Sequence, residues 1–196
     1  MLEKSMMNSL STSIYSDGTG TSGKEVGGLQ LIVADAGTGT VGGINSSTYT
    51  FWQNVQTTAT SSAFSVANVQ SDMNTIYLSL VRGADSPDLV MAGTNAYTAF
   101  LGSLQAIQRI TSDDLANSGF TSLQYLNSDV VFDSACNTNR MYFLNTDYLR
   151  LEVAAARDFV PGEAKMSVNQ DAMVTPMFWS GNLTCSNRAL QGVIHT

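Results

Sequence analysis

Charged side chains are scarce in this sequence. Nine Lys and Arg and sixteen Asp and Glu amount to 13% of its 196 residues, about half the usual share of ~25%. Ser, Thr, Asn, Gln and Gly take their place. Because charge keeps a lone protein in solution and opposes association, a surface this poor in charge favours extensive contact between subunits. A monomer with a neutral polar coat is the alternative.

Positive charge is the scarcer sign. The formal net charge is −7 at pH 7, so no general basic field exists to neutralise phosphates or an anionic lipid surface. The Lys and Arg residues are scattered, without the interleaved aromatic side chains that a single-strand nucleic-acid platform needs. No apolar run is long enough to cross a bilayer, and no signal peptide is visible. We therefore expect a soluble protein, intracellular during synthesis, with no membrane partner and no sequence-independent nucleic-acid binding.

Cysteine and histidine are nearly absent. Cys136 and Cys185 are far apart, and neither forms a CxxC pair or lies near a histidine, so they do not make a zinc site. The single histidine, His195, is one residue from the end of the sequence, where backbone order is usually poor. A Ser or Cys nucleophile would therefore lack its general base. We expect Cys136 to be an ordinary core or loop residue, and we expect no catalytic residue, metal or cofactor.

A glycine-rich loop matches part of a phosphate-binding motif. Gly18, Gly23 and Lys24 fit the pattern GxxxxGK, but Glu25 stands where Ser or Thr must hold magnesium. The motif must also follow a strand and open a helix, whereas this loop follows a predicted helix and leads into a predicted strand. A flexible loop explains the same residues, and a nucleotide-binding enzyme is the rival interpretation.

A second glycine pattern matches the dinucleotide fingerprint GxGxxG. Gly37, Gly39 and Gly42 follow a strand predicted over residues 29–33, which is the right position for that motif. No amphipathic helix follows, however, and residues 36–71 contain no Asp or Glu to bind a ribose hydroxyl. A turn that needs positive φ at several glycines is the favoured explanation.

Hydrophobic periodicity predicts an α+β fold with its helices grouped in the middle of the chain. Helices are predicted over residues 2–15, 66–81 and 97–107, and a short one from Ser112. Strands are predicted over residues 29–33, 88–91, 123–126, 130–132, 140–144 and 149–153, with an extended stretch over 49–55 and a long last one over 171–194. Pro176 and Gly181 favour a bulged or edge position for that last strand, and residues 89–132 form a strand-helix-strand unit.

Several short strings occur in a fixed order along the chain. They are GGLQLIVAD at 27–35, GTVGGI at 39–44, FWQN at 51–54, PDLV at 87–90, VVFD at 130–133, MYFLNT at 141–146, NQDA at 169–172 and WSGNLTCSNR at 179–188. Together and in this order they resemble the tailed-bacteriophage major capsid proteins. The resemblance covers nearly the whole chain.

This resemblance implies a Hong Kong 97-type capsid fold. A peripheral domain, with a spine helix and a sheet, would comprise residues 1–65 and 145–196, and a compact α/β axial domain would comprise residues 66–144. Residues 2–15 would end the spine helix. The N-terminal arm and the extended loop of the family have no counterpart, so the chain corresponds to the C-terminal portion of such a protein.

The resemblance also implies a structural role and no enzymatic one. The chain would be a subunit of an icosahedral phage capsid that assembles in the host bacterial cytoplasm, as pentamers and hexamers enclosing double-stranded DNA. Its partners would be further copies of itself and other phage head proteins, with DNA as cargo that is not specifically bound. The alternatives are the nucleotide-binding enzyme using loop 18–24 or 37–42, an encapsulin-like cellular compartment shell, and a phage decoration protein.

Five residues are candidates for contacts between subunits. Arg109, Asp113 and Asp114 are predicted to approach the capsomer axis, and the two carboxylates also suit the first turn of the helix predicted from Ser112. Trp52 and Trp179 are typical of core or interface anchors, since strand alternation accounts for them without a ligand cage.

Overall fold

The computed structural model describes residues 2–107, 123–166, 171 and 173–196. Within these residues the chain forms five α-helices. They are α1 (Leu2–Ile14), α2 (Gly20–Gly23), α3 (Leu29–Ile32), α4 (Val69–Leu80) and α5 (Thr94–Ile107). The apolar stripes of the three long helices were readable from the sequence, so the predicted helices over 2–15, 66–81 and 97–107 are confirmed, the second with a later start.

The described strands are short. They are β1 (Thr40–Val41), β2 (Ile44–Asn45), β3 (Val55–Thr58), β4 (Leu89–Ala92), β5 (Leu123–Tyr125), β6 (Ser128–Phe132), β7 (Arg140–Leu144), β8 (Leu149–Val153), β9 (Val160–Pro161), β10 (Lys165–Met166), β11 (Met173–Val174), β12 (Met177–Phe178), β13 (Gly181–Cys185) and β14 (Gly192–His195). Helices and strands together confirm the α+β class.

Six of the described strands form one mixed sheet in the order β3-β14-β7-β4-β6-β5. β14 runs parallel to β3 and antiparallel to β7, and β4 runs antiparallel to β7 and parallel to β6. The parallel pair β4 and β6, with α5 between them in the chain, confirms the predicted strand-helix-strand unit. β7 is buried on both faces, which explains its uninterrupted apolar sequence Met141-Tyr142-Phe143-Leu144.

Each face of the sheet has its own apolar cluster. Helices α4 and α5 cover the face on which Val90, Met141, Phe143 and Ile194 lie, with Phe100 fully buried between helix and sheet. On the opposite face Tyr142, Leu144 and Val193 pack with Tyr15, which follows α1, and with side chains of α3 and the loop before β7; these are Leu29, Ile32, Val33 and Cys136. Alternation along the strands thus divides their side chains between two layers of core.

Residues 29–33 form a helical turn, so the predicted strand there is wrong. The amide of Ile32 donates to the carbonyl of Gly28 at 3.1 Å, and that of Val33 to Leu29 at 2.7 Å. Leu29 and Ile32 are both buried, and residues three positions apart lie on one face of a helix. The same five residues also alternate as a strand would, which explains the wrong prediction. A Cβ at Gly28 would overlap the carbonyl oxygen of Ile14, so glycine lets this turn approach the end of α1.

Three other boundaries differ from expectation. The helix predicted from residue 66 begins at Val69, because the Ser65 carbonyl accepts the amides of both Asn68 and Val69 in a preceding turn. Residues Thr50–Trp52 form a 3-10 turn within the stretch predicted as extended. The predicted long strand over 171–194 is divided into four; Pro176 lies between β11 and β12, whereas β14 is central in the sheet and not at its edge. The helix predicted from Ser112 lies outside the described residues.

A two-stranded ribbon lies apart from the sheet. Three antiparallel ladders follow one another along it, β8 with β13, β9 with β12 and β10 with β11. We call residues 149–166 and 173–185 the ribbon. Its base contributes Leu149, Leu183 and Cys185 to the apolar cluster on the face opposite α4 and α5, so the ribbon and these two helices lie on different sides of the sheet.

A fully buried arginine ties the loops between α3 and β3 to the segment that precedes β14. The Arg188 guanidinium donates to the carbonyl of Ile32, to the Ser46 hydroxyl at 3.1 Å, and to two further carbonyls at 3.4 Å, those of Trp52 and Thr38. Burial lowers the pKa of this guanidinium below its ordinary value, yet an arginine stays charged under any physiological condition. One side chain therefore satisfies polar groups from four separate places in the chain.

Replacing this arginine should destabilise the whole fold. In Arg188→Met the four acceptors lose their buried donor, so we expect the free energy of unfolding to fall by about 3 kcal/mol. For a chain of this size that corresponds to a melting temperature roughly 6–12 °C lower, measurable by circular dichroism. Arg82→Met, at an exposed arginine, is the matched control and should change stability by less than about 0.5 kcal/mol. Equal melting temperatures for the two variants would contradict the structural role of Arg188.

Candidate assembly surface

One large part of the surface carries no charged side chain. Residues 36–81 and 89–108 contain a single Asp and no Glu, Lys, Arg or His. That residue, Asp72, is only 6% exposed. Its carboxylate accepts hydrogen bonds from the Thr60 amide at 3.0 Å and the Thr60 hydroxyl at 2.6 Å. The one charged side chain in these two segments is therefore directed inward.

Helices α4 and α5 bring the charge-free segments together. We call the exposed side chains of residues 59–81 and 94–104 the uncharged surface. It contains hydroxyls and amides, and four large exposed apolar side chains, Val66, Leu78, Val81 and Leu101, of which Leu78 is 72% exposed. Removing such groups from water costs much less than removing ions. A partner could cover this surface without leaving a buried charge unpaired.

A cleft of about 480 Å³ lies within the uncharged surface. The segment before α4 and the exposed side of α5 form its walls, with Ser62, Phe64, Val66, Asn95 and Thr98 among the lining residues. Ser61 and Ser62 have positive φ, 65° and 54°, a conformation that costs energy in residues other than glycine. None of the side chains that line it is ionisable, so no side chain of the cleft can act as an acid or a base, and the cleft suits a neutral polar or apolar segment.

The two predicted tryptophan anchors make contacts within the chain. Trp52 is half-buried and its indole N–H donates to the carbonyl of Val41 at 3.2 Å. Trp179 is also half-buried, with its ring centroid 6.5 Å from that of Phe159. The structure does not bring these two side chains into one site with each other, and their role between subunits stays a prediction. Arg109, Asp113 and Asp114 lie outside the described residues.

A buried group of titratable side chains lies around Cys136. The Tyr15 hydroxyl donates to Asp133 at 2.7 Å, and its ring centroid is 6.3 Å from that of Tyr142. Burial, and then the nearby charge of Asp133, raise the pKa of the Cys136 thiol to about 12. Burial likewise raises the pKa values of Tyr15 and Tyr142. At neutral pH all three groups are uncharged, so this cluster holds no activated nucleophile.

The Cys136 thiol should resist alkylation in the folded protein. Because the thiolate is the reactive form and a thiol with a pKa near 12 hardly ionises at pH 8, iodoacetamide should label Cys136 many-fold more slowly in buffer than in guanidinium chloride. Peptide mass spectrometry after timed labelling measures both rates. Equal rates in the two conditions would mean an accessible, reactive thiol.

Neither glycine loop has the surroundings of a nucleotide site. Loop 18–24 follows helix α1 and contains only the short helix α2. The Asp17 carboxylate accepts hydrogen bonds from the Thr19 amide at 3.0 Å and the Thr19 hydroxyl at 2.8 Å. An anion at this place would meet a carboxylate where a phosphate site needs free N–H groups.

The second loop is a hairpin turn. Gly37, Gly39, Gly42 and Gly43 all have positive φ, as the turn interpretation predicts, and the loop follows α3 and leads into the hairpin of β1 and β2. A dinucleotide fingerprint instead joins a strand to a helix. Within the described residues no group of three His, Cys, Asp or Glu side chains could hold a metal ion. In the same part of the chain no helix has the length and apolarity to cross a membrane.

Nucleotides should leave the stability of the protein unchanged. A ligand that binds only the folded state at a hundredfold excess over its dissociation constant stabilises by ~2.7 kcal/mol. With millimolar ATP or NAD we therefore expect the melting temperature of the protein to be the same as in buffer, measured by differential scanning fluorimetry. A reproducible rise that Gly18→Val or Gly39→Val abolishes would instead identify one loop as a nucleotide site.

The solved structures that resemble this chain include two shell-forming particles. One is the cyanophage A-1(L) capsid asymmetric unit, at 15% sequence identity and a TM-score of 0.67, with 99% of this chain and 68% of that chain covered. The other is a virus-like particle from Pyrococcus furiosus, at 9% identity and a TM-score of 0.46, with 72% of this chain and 54% of that chain covered. No family model and no curated protein matches the chain. The first similarity extends over nearly all residues, and the chain has a capsid-protein fold.

Proposed function

We propose that this chain is a structural subunit of a bacteriophage capsid of the Hong Kong 97 type. Copies would associate into pentamers and hexamers, and these into an icosahedral shell around double-stranded DNA in the host cytoplasm. The observation that carries the proposal is the capsid-protein fold, which extends over 99% of the chain and leaves no room for an added catalytic domain. Residues 66–144 would form the axial part and residues 1–65 and 145–196 the peripheral part.

The distribution of charge supports self-association. A shell repeats a few interfaces many times, so each face that meets a neighbour must be covered without burying charged side chains that have no partner. The uncharged surface meets this requirement, and it belongs to α4 and α5, which lie within the proposed axial part. β14, from the peripheral ranges, pairs with the axial strand β7 on one side and with the peripheral strand β3 on the other, so under this proposal the two parts share one sheet.

The excess of negative charge suits DNA as a cargo. With a net charge of −7, an inner wall made of many copies would not hold the duplex by its phosphates, as a basic wall would. DNA could then move during packaging and release. Other phage head proteins are the further partners in this proposal.

A cellular compartment shell is the nearest alternative, since it would use the same architecture with a different content. Electron microscopy of particles purified from cells, followed by nuclease digestion and mass spectrometry, separates the two. Nuclease-protected double-stranded DNA supports the capsid, whereas an enclosed enzyme without DNA supports the compartment. Protein from the complete gene that stays monomeric at high concentration would overturn both.

Placing one charge on the uncharged surface should impair assembly. In Leu78→Asp an exposed apolar side chain becomes a carboxylate that each contact would have to bury unpaired, so we expect each contact to weaken by about 1.4 kcal/mol or more, about tenfold in the association constant. Sedimentation velocity over a concentration series measures this change, and circular dichroism checks that the monomer is folded.

Leu126→Asp is the matched control for this substitution. Leu126 is also strongly exposed but lies in the turn between β5 and β6, outside the uncharged surface, and its positive φ of 55° is one that Asp tolerates well. The control should assemble as the unmodified protein does. Equal assembly of both variants would remove the uncharged surface from the contact between subunits.

A further inference from the structure

The distal half of the ribbon exposes apolar side chains that nothing in the described chain covers. In β9, β10, β11 and β12 every residue except Met177 is exposed. Met166 and Met173 are 72% and 71% exposed, and the other large apolar side chains are Val160, Val174 and Phe178. Charged side chains of both signs flank them, including Glu163 and Lys165. A polar border around an apolar centre is the usual composition of a contact surface.

The distal ribbon also lacks the support that a strand pair needs. A two-stranded hairpin is marginally stable in water by itself and normally requires a further strand or a helix packed on one face. Here β10 and β11 pair only with each other among the described strands, and both residues of each are exposed. A second molecule lying on this ribbon would supply the missing layer.

A residue in a strained conformation lies between the base of the ribbon and its distal part. Phe159, just before β9, has a φ of 52°, which a bulky side chain adopts only when its surroundings impose it. Its ring lies against Trp179, and the guanidinium of Arg157 lies 5.5 Å from the centre of the Phe178 ring. Trp179 in turn lines a small cavity with Met6 and Leu10 of α1. These contacts hold the start of the distal ribbon in place.

The distal part of the ribbon does not belong to the sheet. Its two ladders, β9 with β12 and β10 with β11, share no strand with the six-stranded sheet. The base of the ribbon lies on the face of the sheet opposite α4 and α5. The ribbon can therefore reach a neighbour that is not the one on the uncharged surface.

We propose that the distal ribbon, centred on Met166 and Met173, docks on a second copy of this chain at a contact separate from the uncharged surface. The inference rests on the proposed function. A closed shell needs at least two kinds of contact, one that forms rings and one that joins them. One copy carries the uncharged surface on one side of its sheet and the base of the ribbon, with its exposed apolar residues further along, on the other. Methionine side chains adapt to neighbours whose angle varies, as subunits on a curved shell require.

A charge-neutral double substitution tests the inference. Met166 and Met173 are direct cross-strand partners, so in M166E/M173K an ion pair can maintain the ribbon while the apolar contact is lost and the net charge stays the same. We expect this variant to form small ring-sized oligomers but no closed particles, by sedimentation velocity and electron microscopy. M166L/M173L is the matched control, which keeps the apolar surface and should give closed particles in the same yield as the unmodified protein.

Peroxide footprinting of the unmodified protein gives an independent measurement. Exposed methionines oxidise to sulfoxides, so Met166 and Met173 should oxidise several-fold more slowly in particles than in dissociated subunits. Met73 and Met141, both fully buried, should stay unoxidised in either state. The sulfoxide content of each peptide is read by mass spectrometry.

The outcomes separate this inference from the proposed function. If the unmodified protein forms no oligomers, the proposed function fails and the inference with it. If closed particles form but M166E/M173K forms them equally well, or the two methionines oxidise equally fast in particles, the ribbon contact is wrong while the shell function stands. Loss of every oligomer in M166E/M173K would overturn the separation of the two contacts.

Discussion

The guanidinium of Arg188 lies in the interior, and its hydrogen bonds go to three carbonyl oxygens and one hydroxyl and not to a carboxylate. It thereby holds residues 32–52 against the segment that leads into β14. β14 is the strand that joins β3 to the rest of the sheet, so the position of the sheet edge depends on this side chain. One buried cation therefore organises a part of the fold, residues 32–52, that has only the two short strands β1 and β2.

The sequence predicts regular elements well where burial sets the pattern of apolar residues. The helices over 66–81 and 97–107 are confirmed because burial of one face imposes a period of 3.6, and strand 140–144 because burial of both faces makes its apolar run continuous. The prediction fails at residues 29–33, where Leu29, Leu31 and Val33 alternate as in a strand. The decisive fact there is the close approach of Gly28 to the end of α1. That approach brings the residue before α3 against the last residue of α1, and a local sequence pattern carries no information about such a contact. The role of Arg188 was missed for the same reason, since its partners lie more than 130 residues away in the chain.

The sequence predicts that the protein has a surface poor in charge, but not where that surface lies. Composition alone indicates that charge is scarce and that contact between subunits is favoured, and the charge-free run of residues 36–71 is visible in the sequence. Only the fold shows that α4 and α5 place the charge-free residues side by side and that the one carboxylate among them, Asp72, is directed inward to Thr60. For Trp52 and Trp179 the residue type alone was not enough to predict the contacts. Tryptophan suits an interface, but within the chain Trp52 contacts Val41 and Trp179 contacts Phe159.

Stability and association make different demands on this molecule, and the chain meets them in different places. The core uses a continuous apolar strand and a buried arginine whose hydrogen bonds go to carbonyl and hydroxyl oxygens, so its buried charge is not left without partners. The surfaces available for association use neutral polar groups and a few exposed apolar side chains, which stay soluble in a free subunit and lose little when a neighbour covers them. Charged side chains are concentrated elsewhere, in the turns and in the ribbon, where they flank its exposed apolar residues. Under the proposed function, such a subunit would gain free energy at each contact without burying an unpaired charge.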